Sequence, residues 1–125
     1  MTTPVRLQLS RARGFRLQEH SLATNGLPAV KVDRTTKYGN PWSAKQHNGR
    51  WFLASKSKLV ELCRDREHAL KLALVAFDQA LRLGSLPFTA AEAREVFSKA
   101  NPSCWCKPGA RCHGDLLLAI ANEKP

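Results

Sequence analysis

The sequence predicts one small domain of the α/β or α+β class: a central sheet of about four to five strands, a hairpin, and two to three packed helices. Three observations lead there. The chain has 125 residues, 43% of them hydrophobic, which suits a single core without obligatory staples. Its first half carries short segments of alternating apolar and polar residues, the period of half-buried strands. Its second half carries a long apolar stripe at helical spacing. Residues 1–125 therefore read as one domain, with a basic N-terminal half (1–66) and a helical C-terminal half (67–125).

The elements follow in order. Val5 to Ser10 places Val5, Leu7 and Leu9 on one side of a short strand. Residues 11–28 read as a basic loop, Arg11, Arg13 and Arg16 surrounding Gly14 and Phe15, with Asn25-Gly26 and Pro28 closing it. Ala29 to Asp33 forms a second strand that runs into Arg34 to Trp42, where Gly39-Asn40-Pro41 signals a sharp turn. That loop is either an ordinary turn or an anion cradle built from Lys37, the Thr35 and Thr36 hydroxyls and backbone N–H groups. Trp42 to His47 and Arg50 to Ala54 flank Asn48-Gly49, the dipeptide best suited to a two-residue type I′ hairpin. Leu59 to Cys63 adds a third antiparallel strand. Asp65 caps a helix whose Ala69, Leu70, Ala73, Leu74, Phe77 and Leu81 recur at i, i+3/i+4 up to Gly84. Thr89 and Glu92 form a capping box for a second helix to about Lys99, stopped by Asn101-Pro102. A last helix runs from about Asp115 through Asn122.

Charge narrows the function classes. The formal net charge is +10, and residues 1–66 hold 13 Lys and Arg against 4 Asp and Glu, while residues 67–125 hold 7 against 6. A basic surface concentrated in one half suits nucleic acid or a phosphorylated small molecule, because each neutralised phosphate releases counterions. Arg11, Arg13, Arg16, Lys56 and Lys58 are the candidate nucleic-acid contacts, with Phe15 available to stack on a base. No apolar run approaches the length of a membrane span, and the start of the chain has no signal-peptide core. The expectation is a cytoplasmic protein without a membrane partner, in which cysteines stay reduced.

The chemistry concentrates in Ser103 to Leu117, where Cys104, Trp105, Cys106, Cys112 and His113 fall within ten residues. An extended Ser103–Cys106 points Cys104 and Cys106 to one face and Trp105 to the other. Lys107-Pro108-Gly109 turns the chain back, so that Cys112 and His113 precede the final helix. Three readings stand side by side. Cys104, Cys106, Cys112 and His113 form a complete tetrahedral zinc set, though C-x-C with adjacent C-H is an unusual spacing. Alternatively Cys112, at a helix N-terminus beside His113, is a nucleophile of lowered pKa, with Asp115 orienting His113 or serving as acid or base. Or the cysteines pack beneath Trp105. Cys63, alone among apolar residues, reads as buried.

These segments together resemble an uncharacterised domain family of bacteriophages and bacteria. The family's pattern is a basic stretch ending G-W/F-R, here Gly14-Phe15-Arg16, then W/Y-G-N-P-F/W, here Tyr38-Gly39-Asn40-Pro41-Trp42. It closes with C-W-C and C-H-x-D-x-L-L, here Cys104-Trp105-Cys106 and Cys112-His113 with Asp115-Leu116-Leu117. The resemblance implies a compact domain whose G-N-P loop and C-W-C/C-H segments meet at strand ends. One departure stands out: the family runs an apolar strand into C-W-C, whereas here Ala100-Asn101-Pro102-Ser103 precedes it. A proline cannot donate to a ladder, so this strand is expected to be short, at an edge, or absent.

The function expected from these readings is a phage-type protein whose pocket takes a nucleotide, nucleoside or nucleic-acid end, with group transfer or hydrolysis as the chemistry. Arg34, Lys37, Tyr38, Gly39, Asn40, Trp42 and Trp105 would bind the ligand, and Cys112, His113 and Asp115 would act on it. The alternative is a zinc-stabilised basic module that binds DNA, RNA or a host protein.

Overall fold

The computed structural model describes residues 3–56, 58–107 and 109–123. The α+β class holds, but among the described residues the strands divide into two sheets rather than joining one, and four helices form. The first sheet is parallel. It comprises β1 (Leu7–Gln8), β2 (Ala29–Lys31) and β6 (Asn101–Cys104), in the order β1-β6-β2. The second is an antiparallel meander of β3 (Trp42–His47), β4 (Arg50–Ser55) and β5 (Lys58–Cys63). Its hairpin turns on Asn48 and Gly49, both at positive φ (51° and 75°), the type I′ geometry expected.

Helix α2 (Arg66–Leu83) joins the two layers. Asp65 caps it by accepting from the His68 N–H. Its stripe serves two cores in succession: Ala69 and Ala73 pack with Leu53 and Cys63 of the meander, while Phe77 and Leu81 enter a larger cluster. That cluster also takes Val32, Phe97 from α3 (Ala90–Phe97), and Leu117 and Ile120 from α4 (His113–Ala121). At α3, Thr89 accepts from the Glu92 N–H as expected. The Glu92 carboxylate does not return the bond. It reaches out of the helix to Lys37 at 2.8 Å and the Tyr38 hydroxyl at 3.1 Å.

Two expectations are corrected. Residues 17–25, read as part of a loop, form helix α1 (Leu17–Asn25). Its inward residue is Ser21, whose hydroxyl donates to Leu27 O, and Gln18 both donates to Ala29 O and accepts from Ala29 N at the edge of β2. A helix anchored by polar side chains has no apolar stripe to read.

The second correction concerns Pro102: its strand is short, four residues, as expected, but it is central in its sheet rather than at an edge or absent, and every residue of it is buried. Asn101 N donates to Pro28 O and Ser103 O accepts from Val32 N, so those residues face β2. The strand's alternation turns Pro102 towards β1, at a level just before that two-residue strand begins, and no established ladder bond is lost there. Polar residues substitute for the missing apolar ones because all their groups are satisfied. Asn101 Oδ1 accepts from Val5 N and Asn25 Nδ2, its Nδ2 donates to Ser21 and Asn25, and the Ser103 hydroxyl donates to Asn101 O.

Candidate functional site

Cys104 ends β6 and Cys112 caps α4, its sulfur accepting from the Gly114 N–H at 3.4 Å. The two sulfurs stand 3.0 Å apart. With Cys106 they form a group whose three sulfurs all lie within 4.8 Å of one another, close enough to hold one metal ion. The extended backbone expected through Cys106 stops at Cys104, where β6 ends; the chain bends at Trp105 and Cys106, and the Cys106 sulfur still joins the group. Of the Lys107-Pro108-Gly109 turn expected between them and Cys112, Pro108 lies outside the described residues. All four cysteines are free thiols, and Cys63 is buried in the meander core, apart from this group.

His113 stands beside the group and not within it. Its Nε2 faces Val32 O, a pure acceptor, so this nitrogen carries the proton and Nδ1 is left towards Cys112 Sγ at 3.9 Å. Val32 thus does the orienting that Asp115 was expected to do. Asp115 pairs instead with Arg6, Nε to carboxylate 3.2 Å.

Arg6 is a residue of the candidate site that the sequence reading missed. It comes from the segment leading into β1, and its side chain is only 11% exposed. The guanidinium donates to Ala110 O at 3.1 Å and Lys107 O at 3.4 Å, and its Nη1 lies 4.0 Å from Cys104 Sγ. It therefore ties down the loop between the C-W-C and C-H segments and sets a positive charge against the sulfurs.

The thiols share protons unequally. The Cys104 thiol is pulled down to about 3, chiefly by the hydrogen bond from Cys106 and then by that from Cys112, against the cost of burial. Cys106, the donor, is pushed up for the same reason. At Cys112 the Cys104 sulfur pushes upward, but Cys106, His113 and the Gly114 amide outweigh it and the net direction is down. A cluster that gathers negative charge on sulfur next to a fixed guanidinium is chemically suited to a soft cation or to nucleophilic attack.

The G-N-P loop does reach this group. A pocket of about 430 Å³ is lined by Asn40 and Trp42 on one side and by Cys104, Trp105, Cys112 and His113 on the other. Asp33, Arg34, Cys106, Arg66 and Arg111 also line it. It opens where β2 and β6 end, the location that strand-end logic assigns to ligands. Trp105 is exposed, with its indole N–H on Asp33 at 3.2 Å and the Arg11 guanidinium 4.4 Å above its ring. Arg11 is thereby drawn to the rim, whereas Arg13 and Arg16 are simply exposed. Asp33, Arg66 and Arg111 were not singled out from the sequence. Asp33 alone carried a signal, an acid at a strand end before two threonines.

Several residues expected to bind ligand are committed to the scaffold. Asn40 is buried, donating to Ala73 O at 3.1 Å and accepting from Trp42 N at 2.9 Å. Tyr38 packs edge-on against Phe88 and Phe97 with its hydroxyl on Glu92. Gly39 is required by close approach: a Cβ there would stand 2.5 Å from Asp33 O. The anion-cradle reading of this loop is not supported. The Thr35 hydroxyl goes to Asp33, the Thr36 hydroxyl to Lys31 O and Asp33 O, and the N–H groups of Thr35, Thr36, Tyr38 and Gly39 are all taken locally. The loop is an ordinary, tightly bonded turn whose Arg34 donates to Asn40 O and Trp42 O.

The sequence model of DUF4326, a domain of unknown function, matches residues 15–123. The chain belongs to this family. The DUF4326 match includes the Tyr38–Trp42 loop and the whole cysteine-histidine segment, while Arg6 and Arg11 lie N-terminal to it. No curated protein and no solved structure matches the chain. Among the described residues no helix is long and apolar enough to cross a membrane.

Proposed function

We propose that this DUF4326 domain binds the base-bearing end of a nucleotide, nucleoside or nucleic acid in the 430 Å³ pocket, and that the three cysteines hold a zinc ion at its floor. The observation that carries this reading is the juxtaposition of three sulfurs within 4.8 Å with a pocket that they all line. Three protein ligands are the pattern of a reactive zinc, the fourth position being left for water or a substrate group. Trp42 and Trp105 offer aromatic surface for a base, and Arg34, Arg66 and Arg111 offer charge for phosphate. Group transfer or hydrolysis follows from such a centre, with His113 Nδ1 placed to exchange a proton beside Cys112.

A second reading has its own support. Cys104 and Cys112 belong to the main hydrophobic core, which suits a structural zinc in a basic module that binds DNA, RNA or a host protein. The deciding experiment is metal content by mass spectrometry on tag-free protein, with thiol titration and nucleotide binding by calorimetry. One zinc per chain, three protected thiols and nucleotide binding lost in Trp105→Ala support the pocket reading. Zinc with no nucleotide binding favours the module. Absence of zinc with all thiols reactive overturns the metal in both.

A further inference from the structure

Beside the thiol pocket lies a second, larger and more open cavity of about 700 Å³. Arg34, Lys37, Lys45 and Lys56 line it, and no described lining residue is acidic. These cations come from three segments: the loop after β2, the middle of β3, and the turn between β4 and β5. Lys37 is paired with Glu92. For Arg34, Lys45 and Lys56 no carboxylate lies within ion-pair distance among the described residues. The groove adjoins the thiol pocket, since Arg34, Asn40, Ser43 and Ala44 line both.

We infer that the groove carries the sugar-phosphate backbone of a single-stranded polynucleotide whose terminal base enters the thiol pocket. This rests on the pocket reading above and names its substrate class: a strand, rather than a free mononucleotide. The two cavities together exceed what one nucleotide fills. Charges spread along an open channel match a chain of separate phosphates, whereas a single phosphate group calls for donors converging on a point. The shared wall sets the groove next to the pocket, within reach of a strand leaving it. DNA and RNA offer the same backbone charge here.

The three unopposed groove cations, each releasing about 0.7 counterion per phosphate of a single strand, contribute roughly a 20-fold loss of affinity between 50 and 200 mM salt. Fluorescence anisotropy with labelled ten-residue oligothymidylate and oligouridylate tests this, with thymidine and uridine monophosphates measured by calorimetry on the same protein. In Lys45→Gln/Lys56→Asn, both exposed positions and the latter at φ 48° where Asn is tolerated, the loss over that salt range should be about 7-fold smaller than in the parent. Monophosphate binding should stay as in the parent. Oligonucleotide affinity unchanged in the double variant overturns the groove and leaves the pocket reading standing if monophosphates still bind. Equal displacement of the oligonucleotide by deca-aspartate also overturns it, since the groove would then read charge alone. Oligonucleotide binding that is weakened by the lysine changes but indifferent to Trp105→Ala retains the groove and sinks the pocket reading. Binding of neither ligand class overturns both.

Discussion

Gly39→Ala should lower stability far more than an alanine in a surface turn usually does. The added Cβ would stand 2.5 Å from Asp33 O and 2.8 Å from Arg34 Cα, about 0.9 Å and 0.6 Å short of the 3.4 Å at which ordinary contact begins. Both obstructing atoms are backbone, so no rotamer change relieves the overlap and the loop itself must move. Overpacking of this kind costs about 1–3 kcal/mol. Displacement also strains the buried Asn40 bond to Ala73 O, worth about 1 kcal/mol more. The total of about 2–4 kcal/mol corresponds to a fall in Tm of roughly 8–15 °C for a domain of this length. Scanning calorimetry at neutral pH measures it, and Trp42 fluorescence should shift to the red as the loop lifts from α2. A fall under about 2 °C with unchanged emission would refute the close-approach argument, and with it the claim that this loop is a rigid wall of the pocket.

Other predictions test neighbouring steps. Asn101→Leu removes the partners of Val5 N, Ser21 and Asn25, and should cost about 2–4 kcal/mol in urea denaturation. Asp33 is held below its ordinary 3.8, first by the Thr35 hydroxyl bond. A depressed folded value means that its stabilising effect is present above 3.8 and lost as pH falls through that lower value. Thr35→Val should therefore bring the Asp33 carboxyl back towards 3.8 in a carbon-13 NMR titration and make the acid-side fall of Tm shallower. With zinc bound, a strong chelator should lower Tm, by about 2.7 kcal/mol of stability if the free metal had stood at a hundred times its Kd. Cys63→Ser should leave zinc stoichiometry unchanged, because Cys63 lies in the other core, while Cys106→Ser should reduce it.

What the sequence made legible was whatever rested on local periodicity and caps. Helix α2 with its Asp65 cap, the Asn48-Gly49 hairpin and the Thr89 cap all follow from neighbours a few residues apart. Helix α1 and strand β6 escaped because Ser21, Gln18, Asn101 and Ser103 do the work of apolar residues through long-range hydrogen bonds, which no window of sequence displays. The same divide runs through the site. The three cysteines and His113 announce themselves by density, and the turn signal at Gly39-Asn40-Pro41 is plain. Arg6, however, meets the cysteines only through the parallel pairing of Leu7 with Ser103, and Val32 orients His113 through a backbone carbonyl that carries no side-chain signature. Residue type also overstated ligand roles: Asn40 and Tyr38 have polar groups spoken for by Ala73 and Glu92.

The placement of β6 between β1 and β2 bears on how the chain is made. Both outer strands emerge from the ribosome within the first 31 residues, yet they have nothing to pair with until residues 101–104 follow. Separations of this size slow folding, since a long loop must close before any contact rewards it. The meander and α2 are local enough to form earlier and wait. A nascent chain halted before β6 would carry the basic groove without the thiols, the parallel sheet or the helix that Cys112 caps. Closure of the fold and completion of the candidate reactive centre are thus one event, and the cysteines come together only once residues 101–112 have followed the rest of the fold.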